Sequence, residues 1–202
     1  MLKRFLAIAL LIPTLVFADE FVAGKDYELI GSAPAAESKV SVTEFFSYGC
    51  PWCLRIEPAL NQWVKKHEGQ INFSRVPVAF NKSWAYYAKA YYAANLLGLG
   101  AKLDPKLFKA IQTDKQDLAN NQAMVDFFVA QGVDKETAES AFNNSTIVDL
   151  KVNEGNAMMG RYQISGVPAV VISNRYKTDL RMAQSEERFI RILDYLVNKA
   201  GA

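Results

Sequence analysis

The chain has 202 residues, half of them hydrophobic, with 23 basic and 21 acidic side chains, two cysteines and one histidine. That is enough apolar material to bury a sizeable core, as one large domain or two small ones. The near balance of charge gives nucleic-acid binding no electrostatic support, and two thiols with a single histidine, His67, are too few ligands for a zinc site.

Lys3 and Arg4 precede an apolar stretch from Phe5 to about Phe17, and Val16-Phe17-Ala18 carries small or apolar residues where a signal peptidase reads. The stretch is short for a membrane span, so residues 1–18 are expected to be a signal peptide cleaved near Ala18 rather than a retained anchor. Losing Lys3 and Arg4 leaves acids and bases equal in number. Export would place the remainder in an oxidising compartment, where two cysteines can hold a disulfide.

Residues 19–38 hold Gly24, Gly31 and Pro34 among few apolar side chains, and read as an extended arm with at most one edge strand. Val40–Phe46 is short and rich in Val and Phe, the pattern of a buried strand. Glu44 interrupts it. In a central strand that carboxylate must be paired or take up a proton, whereas at a sheet edge it would stand in water.

The strand runs into Cys50-Pro51-Trp52-Cys53, which holds both cysteines. A helix is expected from Pro51 to about His67, with Ile56, Leu60, Trp63 and Val64 as its apolar face. Pro51 suits the first helical position, where no amide donor is lost. The first sulfur then lies at the helix N-terminus, where unpaired amides and the macrodipole favour a thiolate. A disulfide enclosing only two residues removes little chain entropy and would be a poor staple, so the pair is expected to be redox-active.

Ile71 to Val78 reads as a second strand. Asn81-Lys82-Ser83 opens a helix with Trp84, Tyr87, Ala88, Tyr91 and Asn95 along one face, ended by Gly98-Leu99-Gly100. Asp104-Pro105 reads as the N-cap and first position of the next helix, followed by Leu107, Phe108 and Ile111. Further helices are expected around Gln122 to Ala130, from Asp134, and from about Thr146 to Met159. Ala169–Ile172 is a β-branched run too short for a helix, and a turn at Ser173-Asn174 should return it as an antiparallel hairpin through Tyr176. Phe189, Ile192, Leu193 and Leu196 form the stripe of a closing helix.

Taken together, Cys50-Pro51-Trp52-Cys53 after a Glu-Phe-Phe strand end and Gly166-Val167-Pro168-Ala169 before a late strand resemble the DsbA-like family of periplasmic thiol-disulfide oxidoreductases. The resemblance implies an α/β thioredoxin fold with an inserted helical domain. The thioredoxin-like part would comprise residues 19–81 and 149–202, and the helical insertion 82–148. Cys50 would be the exposed nucleophile, Cys53 its buried partner and Pro168 a cis-proline opposite the pair. Glu44 matches the family's buried acid, with Arg75 near its basic companion, and such a carboxyl can relay protons for Cys53. The backbone of Val167 could pair with an extended substrate segment as a short added strand. Trp52 departs from the histidine of the best-known members and supplies bulk and an indole donor without charge.

The implied activity is donation of the Cys50–Cys53 disulfide to reduced, unfolded exported proteins, with no metal or organic cofactor. Reoxidation would fall to a quinone-linked membrane oxidase of the DsbB type. The same residues would serve a disulfide isomerase or reductase. An apolar groove beside Val167-Pro168 would also serve a non-enzymatic periplasmic binding protein or holdase, for which Cys50 would be dispensable.

Overall fold

The computed structural model describes residues 21–31 and 38–201 and is framed by a five-stranded sheet. The expected signal peptide lies outside the described residues. The strands are β1 (Glu28–Leu29), β2 (Val40–Phe46), β3 (Ile71–Pro77), β4 (Ala169–Ile172) and β5 (Tyr176–Asp179), in the spatial order β1-β5-β4-β2-β3. β2 runs parallel to β3 and antiparallel to β4, and β5 is antiparallel to both β4 and β1. The parallel pair needs a crossover, which α1 (Pro51–Lys66) supplies. β2 therefore has a neighbour on each side, and Glu44 lies in register between Arg75 of β3 and Val170 of β4. That register rules out the edge placement for Glu44. The edge strand of the arm is β1.

Side chains alternate across β2, as the two-residue period of a strand requires. Val42 packs with Ile56, Leu60 and Trp63 of α1 and with Phe189, Ile192, Leu193 and Leu196 of the last helix. Phe45 points the other way, into a cluster with Val76, Val171, Tyr162 and Ile164. The β4–β5 hairpin turns on Ser173 and Asn174, at φ 50° and 53°, and the Arg175 amide donates to the Ile172 carbonyl at 3.0 Å. Two consecutive left-handed residues match the twist of the paired strands, and asparagine is among the residues that tolerate that conformation.

Between β3 and β4 lies a block of helices with its own core. It comprises α2 (Lys82–Leu96), α3 (Gly100–Phe108) running into a π turn (Lys109–Thr113), α4 (Asn121–Ala130), α5 (Lys135–Asn143) and α6 (Thr146–Arg161). Leu103, Leu107, Phe108, Met124, Phe128 and Phe142 meet in this core, and Phe46, Tyr48, Cys50 and Cys53 join it from the sheet side. The helices start where side chains can cap them: Asn81, Asn120, Asp134 and Ser145 each accept a bond from the amide three residues on. A short α7 (Leu180–Ala183), capped by Asp179, leads into α8 (Glu186–Gly201).

One boundary differs from expectation. Asp104-Pro105 does not open a helix, because α3 is already established at Gly100, with the Leu103 amide bonded to the Leu99 carbonyl at 2.9 Å. Pro105 sits inside that helix, and the carbonyl its ring leaves unbonded belongs to exposed Ala101, which water can reach. Asp104 turns inward to polar partners instead of capping.

Leu60 is buried where α1 meets both sheet and α8. Leu60→Ala should lower the free energy of unfolding by about 2–5 kcal/mol, measured by urea titration, through lost burial and the cavity it leaves.

Candidate active site

Cys50 is the N-cap residue of α1, with extended backbone (φ −94°, ψ 115°), and Pro51 follows it. The Cys53 amide donates to the Cys50 sulfur at 3.3 Å, as the geometry of a helix N-terminus dictates. On its other side the Cys50 thiol donates to the Val167 carbonyl at 3.4 Å. The Val167–Pro168 peptide bond is cis, and the loop before β4 meets the head of α1 through Val167. Both cysteines are free thiols in this structure.

The expected contrast between an exposed Cys50 and a buried Cys53 is narrower than the resemblance implies. Cys50 is only 4 % exposed and Cys53 is fully enclosed. The Val167 loop covers Cys50 from one side, and the helical block closes around both residues. Trp84 of α2 lies so close to Gly49 that a Cβ there would run into its indole ring.

The two sulfurs nevertheless differ chemically. The Cys53 thiol, with the Cys53 and Trp52 amides, holds the Cys50 thiol down at about 7 against the cost of burial. Burial pushes Cys53 far up, and its bond to Cys50 adds to the shift. The fold thus makes one thiolate available near neutral pH and denies the other.

Beneath the pair lies Glu44, whose charge also raises both thiols. Arg75 donates to Glu44 from Nε at 2.7 Å, to Glu57 from Nη2 at 2.7 Å and Nη1 at 3.2 Å, and to Asp104 from Nη1 at 3.4 Å. Its guanidinium lies 4.0 Å from the centre of the Phe46 ring. Glu44 is pushed up to about 7. Desolvation is the main cause, Arg75 opposes it, and Glu57 and Asp104 reinforce it. Among the described residues, Oε1 of Glu44 has no hydrogen-bond partner.

Trp52 is half exposed beside the pair, with the Arg55 guanidinium 5.2 Å from its ring, and Arg55 is ion-paired to Glu186 of α8. Trp52, Arg55, Gly166, Val167, Pro168 and Leu180 are among the residues lining a groove of about 840 Å³. The structure therefore brings Cys50, Cys53, Glu44, Arg75, Trp52, Val167 and Pro168 together. Sequence reasoning missed Glu57, Tyr48 and Asp104. Glu57 stands four residues after Cys53, one helical turn along the same face, a spacing that could have found it. Nothing local marks Tyr48 or Asp104.

A mixed sheet with a Cys-x-x-Cys at the head of its first long helix, facing a cis-proline loop, defines the class of thioredoxin-fold thiol–disulfide oxidoreductases. Residues 41–194 match the family model described as a DSBA-like thioredoxin domain. The thiol:disulfide interchange protein DsbA of Burkholderia cepacia is 40 % identical over 180 residues, covering 88 % of this chain and 84 % of that protein. Its Pseudomonas aeruginosa counterpart is 32 % identical over 203 residues, 100 % of this chain and 96 % of the relative. The crystal structure of P. aeruginosa DsbA superimposes with a TM-score of 0.83 at 31 % identity, covering 90 % of this chain and 95 % of that one. DsbA from Xylella fastidiosa superimposes with a TM-score of 0.79 at 27 % identity, covering 88 % and 96 %. The chain belongs to the DsbA-like family. It is a protein disulfide oxidoreductase that donates a disulfide, and the family acts through a redox-active cysteine pair without a cofactor.

The raised position of Glu44 has a consequence for stability. Between about 4.5 and 7 the unfolded chain has lost the Glu44 proton while the folded one keeps it, so this group makes stability fall as pH rises through that window. Glu44→Gln should match wild type near pH 4 and exceed it near pH 8 by on the order of 3 kcal/mol, read from urea unfolding of the reduced proteins.

Proposed function

We propose that Cys50 is the sulfur attacked by substrate and Cys53 the leaving partner. The observation that carries this reading is the Cys50 sulfur at the α1 N-terminus, bonded by the Cys53 amide at 3.3 Å and facing the Val167 carbonyl at 3.4 Å. In the oxidised protein a substrate thiolate attacks the Cys50 sulfur, the Cys50–Cys53 bond breaks, and Cys53 departs as a thiolate. Glu44, still protonated near neutral pH, supplies the proton that Cys53 takes up. A second substrate thiolate then attacks the substrate sulfur of the mixed disulfide and expels Cys50 as a thiolate. The substrate gains one disulfide and the protein keeps two electrons as a dithiol. A stabilised Cys50 thiolate is a good leaving group, which favours donation.

Val167, Pro168 and Trp52 serve as the substrate-holding side. Val167 offers backbone groups to an extended segment, and the adjoining groove is apolar at Leu180 and Trp52. A cysteine-to-serine variant of Proteus mirabilis DsbA, 25 % identical with a TM-score of 0.68, has been solved with a non-covalently bound peptide PWATCDS. A peptide of that kind suits this groove. The substrates are reduced, unfolded exported proteins in the periplasm, reached after cleavage near Ala18. A quinone-linked membrane oxidase of the DsbB type restores the disulfide. We further read residues 19–81 and 149–202 as the thioredoxin-like part and 82–148 as the helical insertion. The second joint falls within α6, whose Val148 packs in the helical block and whose Met158 and Met159 pack against the sheet.

Cys50→Ser should abolish oxidation of a reduced dicysteine peptide and leave peptide binding in place. Oxidation surviving in that variant would take the activity away from the Cys50–Cys53 disulfide altogether, since a single thiol has no disulfide to donate. Trp52 has no charge to stabilise the neighbouring thiolate, so Trp52→His should make the protein more oxidising, seen as a shift of its equilibrium with glutathione towards the reduced form. A shift the other way, or none, would leave the helix-end amides alone setting the potential.

A further inference from the structure

The helical block contributes one charged group to the buried cluster around Arg75. Asp104, midway along α3, presents Oδ2 to Arg75 Nη1 at 3.4 Å, while its Oδ1 accepts from the Tyr48 hydroxyl. Arg75 commits Nε to Glu44 and Nη2 to Glu57, and Nη1 is divided between Glu57 and Asp104. The side chains are nearly dry, at 10 % exposure for Arg75, 1 % for Glu44, 17 % for Glu57 and 18 % for Asp104. One cation thus serves three carboxylates from β2, α1 and α3. The most deeply buried of the three, Glu44, receives a single bond and keeps Oε1 unpartnered among the described residues.

We propose that Asp104 is a positioning residue for the redox reaction, whose share of the Arg75 guanidinium governs whether Glu44 holds its proton and so couples the helical block to the chemistry of Cys53. The inference rests on the reading that Glu44 serves Cys53. Every group acting on Glu44 enters the balance. Arg75 from β3 draws its proton off, and Glu57 from α1 and Asp104 from α3 help retain it. The thiols of α1 and Tyr91 from α2 also feel its charge, and Val170 opposite it on β4 is uncharged. Asp104 is the carboxylate that the helical block brings to Arg75, and the Tyr48 hydroxyl on its other oxygen fixes where that charge lies. Were α3 to move away from the sheet, Arg75 would be left to Glu44 and Glu57, and Glu44 would ionise more readily.

The test follows the Glu44 carboxyl resonance by carbon NMR in the reduced full chain, together with the pH–rate profile for oxidation of a dicysteine peptide. In Asp104→Asn both midpoints should move to lower pH together, by about half a unit or more, whereas Asp104→Glu, which keeps the charge, should stay near wild type. In a Glu44→Gln background, Asp104→Asn should shift no midpoint. A folded Asp104→Asn protein with both wild-type midpoints would overturn the proposal, leaving Asp104 a structural contact between α3 and the sheet. Should Asp104→Asn fail to fold, the wild-type titration decides. The Asp104 resonance must then show a second inflection at the Glu44 midpoint, and a single inflection elsewhere would refute the coupling. The two readings fail separately. A Glu44→Gln protein that keeps the wild-type pH–rate profile sinks the role of Glu44. Loss of that midpoint in Glu44→Gln while Asp104→Asn leaves it in place sinks only the role of Asp104.

Discussion

The guanidinium of Arg75 is the group on which the active-site half of this molecule depends. The β2–β3 register sets it opposite Glu44, and only a planar fork with several donors can face carboxylates on a strand and on two helices at once. Lysine in that place would be a single point charge, and one that burial can neutralise, whereas arginine stays charged. Removing four ionisable groups from water is costly, and a buried cluster of this kind is weak grounds for stability. Its effect is chemical. Burial, which the shared Arg75 only partly offsets, leaves Glu44 holding its proton near neutrality.

The cysteines illustrate how far two like groups can be driven apart by one turn of helix. Cys50 occupies the N-cap, where amides point at its sulfur, and Cys53 lies inside the first turn among apolar side chains. The Cys53 thiol and the helix-end amides favour a thiolate at the first, and desolvation disfavours one at the second. In the proposed mechanism this asymmetry lets Cys50 leave a mixed disulfide easily and keeps Cys53 from lingering as an anion. Around them the helical block and the Val167 loop close down until the reactive sulfur is almost covered. The groove on the Trp52–Pro168 side is the way in that we propose for substrate.

The helical block is more than a lid. Its core is continuous with Phe46, Tyr48 and both cysteines, so the end of β2 and the head of α1 pack against the helical block as well as the sheet. Tyr48 stacks edge-on against Phe46 and Phe108, and its hydroxyl reaches Asp104. The Gln112 side chain from the π turn donates to the Tyr48 carbonyl at 2.7 Å. The approach to the active-site helix is thus gripped from the inserted block on both its polar and its apolar sides.

Much of this organisation follows from neighbours in sequence. The period of apolar residues in α1 and α8, the caps at Asn81 and Asp134, the Ser173-Asn174 turn and the placing of Cys50 at a helix start involve groups only a few positions apart, and the sequence alone was sufficient to determine them. It also marked Glu44 as anomalous, because a carboxylate in a run of Val and Phe is conspicuous whatever surrounds it. The tertiary structure decided what became of these features. The two-sided pairing of β2 made Glu44 a buried group, the meeting of the Val167 loop with α1 enclosed Cys50, and the inward turn of Asp104 made a supposed helix cap part of the charge cluster. The charge sharing depends on residues 44, 57, 75 and 104 meeting in one dry volume. Burial and charge sharing are properties of that volume, and no stretch of chain carries them by itself.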